Sequence, residues 1–359
     1  MDKILALRGG AELVAHWAQL ASAIEVVTGV VASGVATGLA VLVAQAAPER
    51  KRALLGTGLL LSLALALPVA GAVALLYSAL AAAAGWVAAI PTLINGYWLG
   101  RQQRGAMLAL AVFSAAVACG AALIAPQGRI LEWLAWSQAL PVVALLFAGG
   151  FSLEKSSALT RFLLPGLVIG ILSPLSLLAA RALVAGALSW HEAGVLQALW
   201  RVSDWICGVA GGILSFYYLP RFAAARTRAA LALEMRRAAH ATLWGAAVAF
   251  TLAAFFQREL LAWLYDAEVQ TSLAAAALVF AGSLVRIGAW IGLLALYAQH
   301  GTRAIVLGEF LSLPLFAALL AACSAQLTLE LAGALWLLSF AAYAAFNLWA
   351  ALRGTIRVS

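Results

Sequence analysis

The sequence is dominated by apolar stretches of about 20 residues that follow one another with only short loops between them. A transmembrane α-helix needs roughly 20 such residues to cross about 30 Å of hydrocarbon. The chain is 65% hydrophobic and only 10% charged, whereas a soluble domain is about 25% charged and can cover its apolar core in water. We therefore predict an all-α polytopic membrane protein with about eleven spans, near 11–46, 53–79, 80–99, 105–125, 131–152, 158–187, 192–220, 236–257, 270–298, 303–324 and 329–352.

The basic residues fall unevenly on the two sides of these spans. Alternate loops and the C-terminus hold Arg50, Lys51, Arg52, Arg101, Arg104, Lys155, Arg161, Arg221, Arg226, Arg228, Arg236, Arg237, Arg303, Arg353 and Arg357. The opposite side holds only Lys3, Arg8, Arg129 and Arg258. The positive-inside rule then predicts a cytoplasmic C-terminus and explains the net charge of +8 without a nucleic-acid partner.

A polar break at 152–161 separates five predicted spans from six. Transporters are often built from two structural repeats of similar size, so we predict an N-terminal helical bundle at 1–152 and a C-terminal bundle at 153–359. The three cysteines are scattered through apolar runs and show neither disulfide nor zinc spacing. No nucleotide-binding or hydrolase motif occurs in a usable context, so we predict a protein without cofactor, metal or catalytic residues.

Six ionisable residues lie within the predicted spans: Glu25, Arg181, Arg201, Asp204, Arg286 and Glu309. Such residues cost about 2.5–3.5 kcal/mol on insertion scales, and they usually face a water-filled cavity or a charged partner. Arg201 and Asp204 are three residues apart and share a helix face. They form either a self-neutralised structural pair or a pair that opens when substrate or a proton arrives.

The other intramembrane charges also allow two interpretations each. Arg286 has no acidic residue within reach on its own helix, so it needs a partner from another helix or an anionic ligand. Arg181 either snorkels to the interface or lines a cavity. Glu25 is either a proton or cation site or a partner for an arginine, and Glu309 is either a coupling residue or an interfacial one. Because a guanidinium suits phosphate oxygens, the arginines favour an anionic, pyrophosphate-linked lipid as cargo.

Two segments resemble a known family. Residues 189–221, SWHEAGVLQALWRVSDWICGVAGGILSFYYLPR, are similar to the eighth-helix region of Wzx-type flippases. Residues 282–312, GSLVRIGAWIGLLALYAQHGTRAIVLGEFLS, match the basic residue of the family's tenth helix and the glutamate of its eleventh. The relatives translocate O-antigen or enterobacterial common antigen units and belong to the multidrug/oligosaccharidyl-lipid/polysaccharide exporter superfamily.

The resemblance implies two helical bundles around a central cavity in the bacterial inner membrane. It also implies alternating access that moves an undecaprenyl-pyrophosphate-linked oligosaccharide, with the polysaccharide polymerase machinery as a candidate partner. Because residues 10–45 align with the family's second helix, we expect the first family helix to be missing. Family positions support Arg181, Gln197 and Arg286 as substrate contacts and Asp204 and Glu309 as coupling residues. Arg201 as a substrate contact and Glu25 as a coupling residue rest on their local positions alone.

Two other functions remain open from the sequence. A drug or small-molecule exporter of the same superfamily would give drug sensitivity on deletion with an intact surface glycan. A membrane glycosyltransferase would transfer sugar as a purified protein. The loops hold few acidic residues for a metal–nucleotide site, which favours transport over enzymatic activity.

Overall fold

The computed structural model describes residues 1–147, 163–225, 227–299 and 301–353. The described residues form helices joined by short turns, with no strand among them. Eleven of the helical segments are long and apolar enough to cross a membrane. The predicted fold class and span count are therefore confirmed. The spans are Asp2–Val30, Glu49–Leu76, Ala79–Gly100, Arg104–Ile124, Gln127–Phe147, Gly170–Ala187, Trp190–Ala224, Arg228–Phe255, Leu273–Ala298, Thr302–Ala322 and Leu329–Arg353.

The α-helices are numbered in chain order. They are α1 (Asp2–Val30), α2 (Thr37–Gln45), α3 (Pro48–Leu76), α4 (Ala79–Gly100), α5 (Arg104–Ile124), α6 (Ile130–Ala139), α7 (Leu163–Ala187), α8 (Trp190–Ile213), α9 (Leu219–Ala224), α10 (Arg228–Phe255), α11 (Gln257–Leu264), α12 (Leu273–Ala298), α13 (Thr302–Phe310), α14 (Leu313–Ala322) and α15 (Leu329–Arg353). Short 3₁₀ segments occupy Gln127–Arg129, Leu140–Phe147 and Ser324–Gln326.

The chain forms two compact units. Unit 1 contains Met1, Lys3–Arg8 and His16–Leu178, and unit 2 contains Asp2, Gly9–Ala15 and Ala179–Ser359. Helix α1 contributes to both units, and it has non-helical backbone angles at Gly9 and Gly10, where Gly10 has a φ of 64°. The predicted bundle boundary at residue 152 lies outside the described residues and stays a prediction.

In unit 1, α4 packs against the first long helix through small residues. A Cβ built on Gly85 would lie 2.9 Å from the Cβ of Val27, and one on Gly96 would lie 2.6 Å from the carbonyl oxygen of Ala36. Glycine permits this approach because lipid supplies little hydrophobic drive for association, so membrane helices depend on close backbone packing. Valine and leucine side chains of α1, α2, α3 and α4 fill the surrounding core.

In unit 2, the corresponding close contact joins α12 to α15. A Cβ on Gly292 would lie 2.8 Å from the backbone of Asn347 and Leu348. An aromatic cluster packs beside it, in which Trp336 stacks on Trp200 at 5.0 Å between ring centroids and meets Phe316 edge-on at 5.1 Å. These contacts bury Trp336 almost completely and join α8, α14 and α15.

Two π-helical segments continue α-helices in the described structure. Val31–Ala36 joins α1 to α2, and Leu214–Tyr218 joins α8 to α9. A π-segment inside an α-helix is rare and often marks a functional site. Each follows a helix that carries an intramembrane acidic residue, Glu25 on α1 and Asp204 on α8.

Arg8 has a structural role that accounts for its position on the side with few basic residues. Its Nη1 donates to the carbonyl of Ala122 at 2.7 Å, and its Nη2 donates to the carbonyl of Ala125 at 2.6 Å. Ala122 is in the last turn of α5 and Ala125 is its C-cap, where carbonyl groups lack intrahelical donors and the helix dipole is negative. Arg8 therefore caps a helix end in unit 1, so its location does not need a topological explanation.

Candidate functional site

Helix α8 presents a polar stripe in unit 2. Gln197, Arg201 and Asp204 are spaced by four and three residues, so they lie on one helical face. The predicted ion pair between Arg201 and Asp204 is not among the ion pairs of the described residues. Each residue instead pairs with a residue of another helix in unit 2, Arg201 with Asp2 of α1 and Asp204 with Arg286 of α12.

Arg286 of α12 pairs with Asp204 across the two helices. Its Nη2 donates to Oδ1 of Asp204 at 2.6 Å. The side chain of Arg286 is 13% exposed and that of Asp204 is 46% exposed. The cation is therefore largely removed from solvent, whereas its counter-ion still offers one side to another ligand.

Aromatic rings surround the Arg286 guanidinium. Its Cζ lies 5.3 Å from the ring centroid of Trp290 and 5.8 Å from those of both Trp336 and Phe340. A cation at this distance from a ring is attracted by the π-quadrupole, by about 0.5–2 kcal/mol depending on desolvation. The Nε–H of Arg286 is buried and has no hydrogen-bond acceptor among the described residues, so one donor of the guanidinium is unsatisfied.

Arg201 pairs with Asp2. Its Nε lies 3.3 Å from Oδ2 of Asp2, and the two side chains are 36% and 21% exposed. The buried hydroxyl of Tyr265 has no hydrogen-bond partner among the described residues. Burial raises the pKa of Tyr265, and the nearby carboxylate of Asp2 raises it further, so the hydroxyl keeps its proton as a donor. Tyr265 and Asp2 were not singled out from the sequence.

Arg181 and Gln197 contact each other inside unit 2. Nε of Arg181 donates to Oε1 of Gln197 at 2.8 Å, and the two residues are 5% and 4% exposed. The Arg181 guanidinium also lies 5.9 Å from the ring centroid of Trp200. Arg181 and Gln197, both predicted to contact substrate, therefore hydrogen-bond to each other and join α7 to α8.

Glu309 belongs to a separate buried cluster in unit 2. The hydroxyl of Tyr343 donates to its Oε1 at 2.7 Å, and the hydroxyl of Ser312 donates to its backbone carbonyl at 2.6 Å. Asn347, one turn after Tyr343, is fully buried, and its Oδ1 has no donor among the described residues. The sequence analysis did not identify Tyr343 and Asn347. Their spacing of four residues in the apolar helix α15 places two polar side chains on one face, which could have indicated a buried polar cluster.

Glu25 lies in unit 1, in a cavity of about 330 Å³. Other polar residues of its wall are Thr28, Thr92, Asn95, Ser114 and Gln138. Three of these hydroxyls donate to carbonyls of their own helices, Thr28 to Ile24 and the other two in the same i to i−4 pattern, so their oxygens remain available as acceptors. We call this space the Glu25 pocket. It combines one carboxylate with neutral oxygen ligands, a set suited to a proton or a small cation.

The structure therefore distributes the predicted site residues over three places. Arg181, Gln197, Arg201, Asp204 and Arg286 surround α8 in unit 2, Glu309 lies with α15 in the same unit, and Glu25 lies in unit 1. In the described part of the chain, no group of three or more His, Cys, Asp or Glu residues could hold a metal ion.

Comparison with known proteins identifies the fold. No family model and no curated protein matches the sequence. An inward-facing multidrug resistance MATE transporter of the MOP superfamily matches with a TM-score of 0.74 at 11% identity, over 98% of this chain and 94% of the other. An outward-facing MATE transporter of the same superfamily matches with a TM-score of 0.57 at 12% identity, over 99% and 96%.

A third solved structure is a MOP superfamily transporter from Pyrococcus furiosus, described as having a binding pocket of reversed polarity that suggests a different function. It matches with a TM-score of 0.60 at 13% identity, over 98% of this chain and 91% of the other. At these identities the likeness concerns the fold, so the chain has a MATE-like transporter fold.

Proposed function

We propose that this protein is a flippase that moves an undecaprenyl-pyrophosphate-linked oligosaccharide from the cytoplasmic to the periplasmic leaflet of the bacterial inner membrane. The observation that carries the proposal is the Arg286–Asp204 pair within two membrane-spanning helices. Its cation is held by aromatic rings and its anion is half exposed. Such a pair can exchange one carboxylate for a phosphate without rebuilding the site.

The chemistry of exchange follows from the guanidinium. A planar guanidinium donates two parallel hydrogen bonds to a carboxylate or to a phosphate, and charge-assisted bonds of this type are about twice as strong as neutral ones. A pyrophosphate carries more charge than the carboxylate of Asp204, so it competes for Arg286 when it enters. Arg201, three residues before Asp204, supplies a second cation on the same helix, and Asp2 already shows that a carboxylate binds there.

Alternating access is the transport mode that this fold supports. Solved structures with the same fold are known as inward-facing and outward-facing forms. Intramembrane charges are costly unless they serve a cavity, a partner or a transported group. In this proposal the arginine pairs open toward cargo in one state and close on their own carboxylates in the other.

Coupling to an ion gradient would use the intramembrane carboxylates that lie away from the Arg286–Asp204 pair. Glu25 stands among neutral oxygens in the Glu25 pocket, and Glu309 accepts a hydrogen bond from Tyr343. Both could change protonation or bind a cation during the cycle, because each carboxylate lies beside neutral hydroxyl oxygens, those of Thr28 and Thr92 in the Glu25 pocket and that of Tyr343 next to Glu309. We propose Glu25 and Glu309 as coupling residues on this basis.

The proposal is tested in a host that lacks its own copy of the gene and displays a measurable surface polysaccharide. Arg286→Ala should abolish the polysaccharide while the protein still inserts at normal levels, because the mid-membrane cation is lost. Arg286→Lys should retain part of the activity, because it keeps the charge without the planar fork. Arg258→Ala is the matched control, since Arg258 is exposed on α11 outside the candidate spans. Normal polysaccharide in the Arg286→Ala strain would refute the cationic site.

A second candidate function is ion-coupled export of a drug or other small molecule. It is favoured by the match to multidrug resistance transporters, whereas the arginines of α8 and α12 favour an anionic cargo. Deletion of the gene separates the two functions. Loss of surface glycan with unchanged drug resistance supports the flippase, and drug sensitivity with an intact glycan supports the exporter.

A further inference from the structure

An apolar groove lies in unit 1 at the start of α5. It has a volume of about 850 Å³, and its wall is formed by Trp98, Gln103, Gly105, Ala106, Ala109, Leu110, Phe113, Val143, Ala144 and Phe147. Apart from Leu110, none of these residues lines the Glu25 pocket. We call this space the α5 groove. It is therefore a separate cavity that the proposed transport site does not use.

The residues of α5 explain why the groove exists. Gly105, Ala109 and Phe113 are spaced by four residues and lie on one helical face. The first two lack a large side chain, and a Cβ built on Gly105 would meet nothing within 4 Å. The groove is consequently open along the first two turns of α5 and closed by an aromatic ring at the third.

Two arginines stand where the groove begins. Arg101 follows α4, and Arg104 is the first residue of α5. Both are exposed, and neither forms an ion pair with an acidic residue in the described part of the chain. Arg101 lies over the ring of Tyr97 at 5.5 Å, and its Nη1 donates to the Tyr97 hydroxyl at 3.5 Å. Gln103 and Gly105 line the groove, and the two arginines are close to them in the sequence. Two cations without carboxylate partners in the described part of the chain therefore lie near this end of the apolar channel.

We propose that the α5 groove binds an anionic phospholipid. One acyl chain occupies the channel between α5 and the 3₁₀ segment Leu140–Phe147, and the phosphate group contacts Arg101 and Arg104. Both arginines lie at the end of a membrane span, which is the depth at which lipid phosphates are found. Basic pockets between transmembrane helices bind anionic head groups, and a polar mouth leading into an apolar channel matches the two parts of a lipid.

The site is tested by native mass spectrometry of the full-length protein, purified in detergent, delipidated and titrated with defined lipids. Phosphatidylglycerol should bind more tightly than phosphatidylcholine. Arg101→Gln and Arg104→Gln should each weaken phosphatidylglycerol about fivefold, the effect expected for one basic residue near a lipid surface. Gly105→Leu and Ala109→Leu should weaken both lipids, because the added side chains fill the channel.

The controls use positions of similar character away from the groove. Gly71→Leu on α3 also places its side chain in open space, and Arg258→Gln removes an exposed arginine on α11. Both should leave lipid binding unchanged, and circular dichroism should confirm that every variant remains helical. The proposal is overturned if the two lipids bind equally or if the groove-filling variants bind as well as Gly71→Leu. It is also overturned if undecaprenyl phosphate binds and phosphatidylglycerol does not. Because binding is measured without transport, failure of the flippase proposal would leave this result unaffected.

Discussion

The ion pair between Arg286 and Asp204 can be tested by a double-mutant cycle with Asp204→Asn, Arg286→Gln and the double variant. Removing one partner of a fully buried pair costs about 3–5 kcal/mol, whereas an exposed pair contributes about 0–1 kcal/mol. Here the Arg286 side chain is 13% exposed and that of Asp204 is 46% exposed. A largely buried cation with a half-exposed anion lies between these limits, so we expect a coupling energy of about 1–2 kcal/mol.

The cycle is needed because Arg286 has other contacts. Its guanidinium also faces Trp290, Trp336 and Phe340, so Arg286→Gln loses cation–π attraction in addition to the ion pair. Double-mutant cycles cancel such terms and isolate the pairwise energy. Asp204→Asn alone leaves the cation without its counter-ion, and the double variant should be less destabilised than the sum of the single variants.

The free energy of unfolding is measured for the four proteins in mixed micelles with increasing denaturing detergent. A parallel cycle with Asp204→Asn and Arg258→Gln should be additive, because no contact joins Arg258 to Asp204 in the described structure. A coupling energy below about 0.5 kcal/mol between Asp204 and Arg286, the level at which independent sites add, would show that the pair contributes nothing specific. The exchange of this carboxylate for a phosphate would then lose its basis.

Four further results are expected. Gly292→Leu should destabilise unit 2 by about 1–3 kcal/mol or more in thermal unfolding, because its side chain meets the backbone of α15, whereas Gly288→Leu, whose Cβ meets open space, should unfold at the wild-type temperature. Tyr343→Phe should cost about 1.5–3 kcal/mol in the same measurement by removing a hydrogen bond to the Glu309 carboxylate, and an unchanged stability would argue against that bond. Asp2→Asn and Arg201→Gln should couple by at most about 1 kcal/mol, since both side chains are partly exposed, and a larger value would indicate a buried pair. Glu25→Gln should abolish ion-driven transport in proteoliposomes, because it removes the carboxylate of the Glu25 pocket, and full transport would exclude Glu25 as a coupling residue.

Hydropathy was sufficient to predict the all-helical fold and the number of spans. In lipid each backbone polar group must be satisfied within its own segment, so a long apolar stretch has few alternatives to a helix. The close approach of Gly292 to α15 could not be predicted from the sequence, because many other glycines occur in similar apolar surroundings. The role of Arg8 was also hidden, since its acceptors lie more than a hundred residues away in α5.

Partner choice among the intramembrane charges could not be predicted from spacing. Arg201 and Asp204 share a helix face, yet Arg201 pairs with Asp2 and Asp204 pairs with Arg286. Spacing on one helix limits which residues can meet, but the distance to a neighbouring helix decides which of them do. The sequence left Arg286 with either a partner from another helix or an anionic ligand, and the structure provides a partner, Asp204 of α8.

The charges of the two units differ in a way that bears on mechanism. The Glu25 pocket of unit 1 has one carboxylate and no arginine or lysine among its lining residues. In unit 2, Arg201 of α8 and Arg286 of α12 are each paired with a carboxylate. A carboxylate that lines a polar pocket can bind a proton or a cation, whereas a paired arginine responds to a competing anion. Coupling and cargo binding should therefore be separable by mutation, with Glu25→Gln retaining anion binding and Arg286→Ala retaining the response of Glu25 to cations.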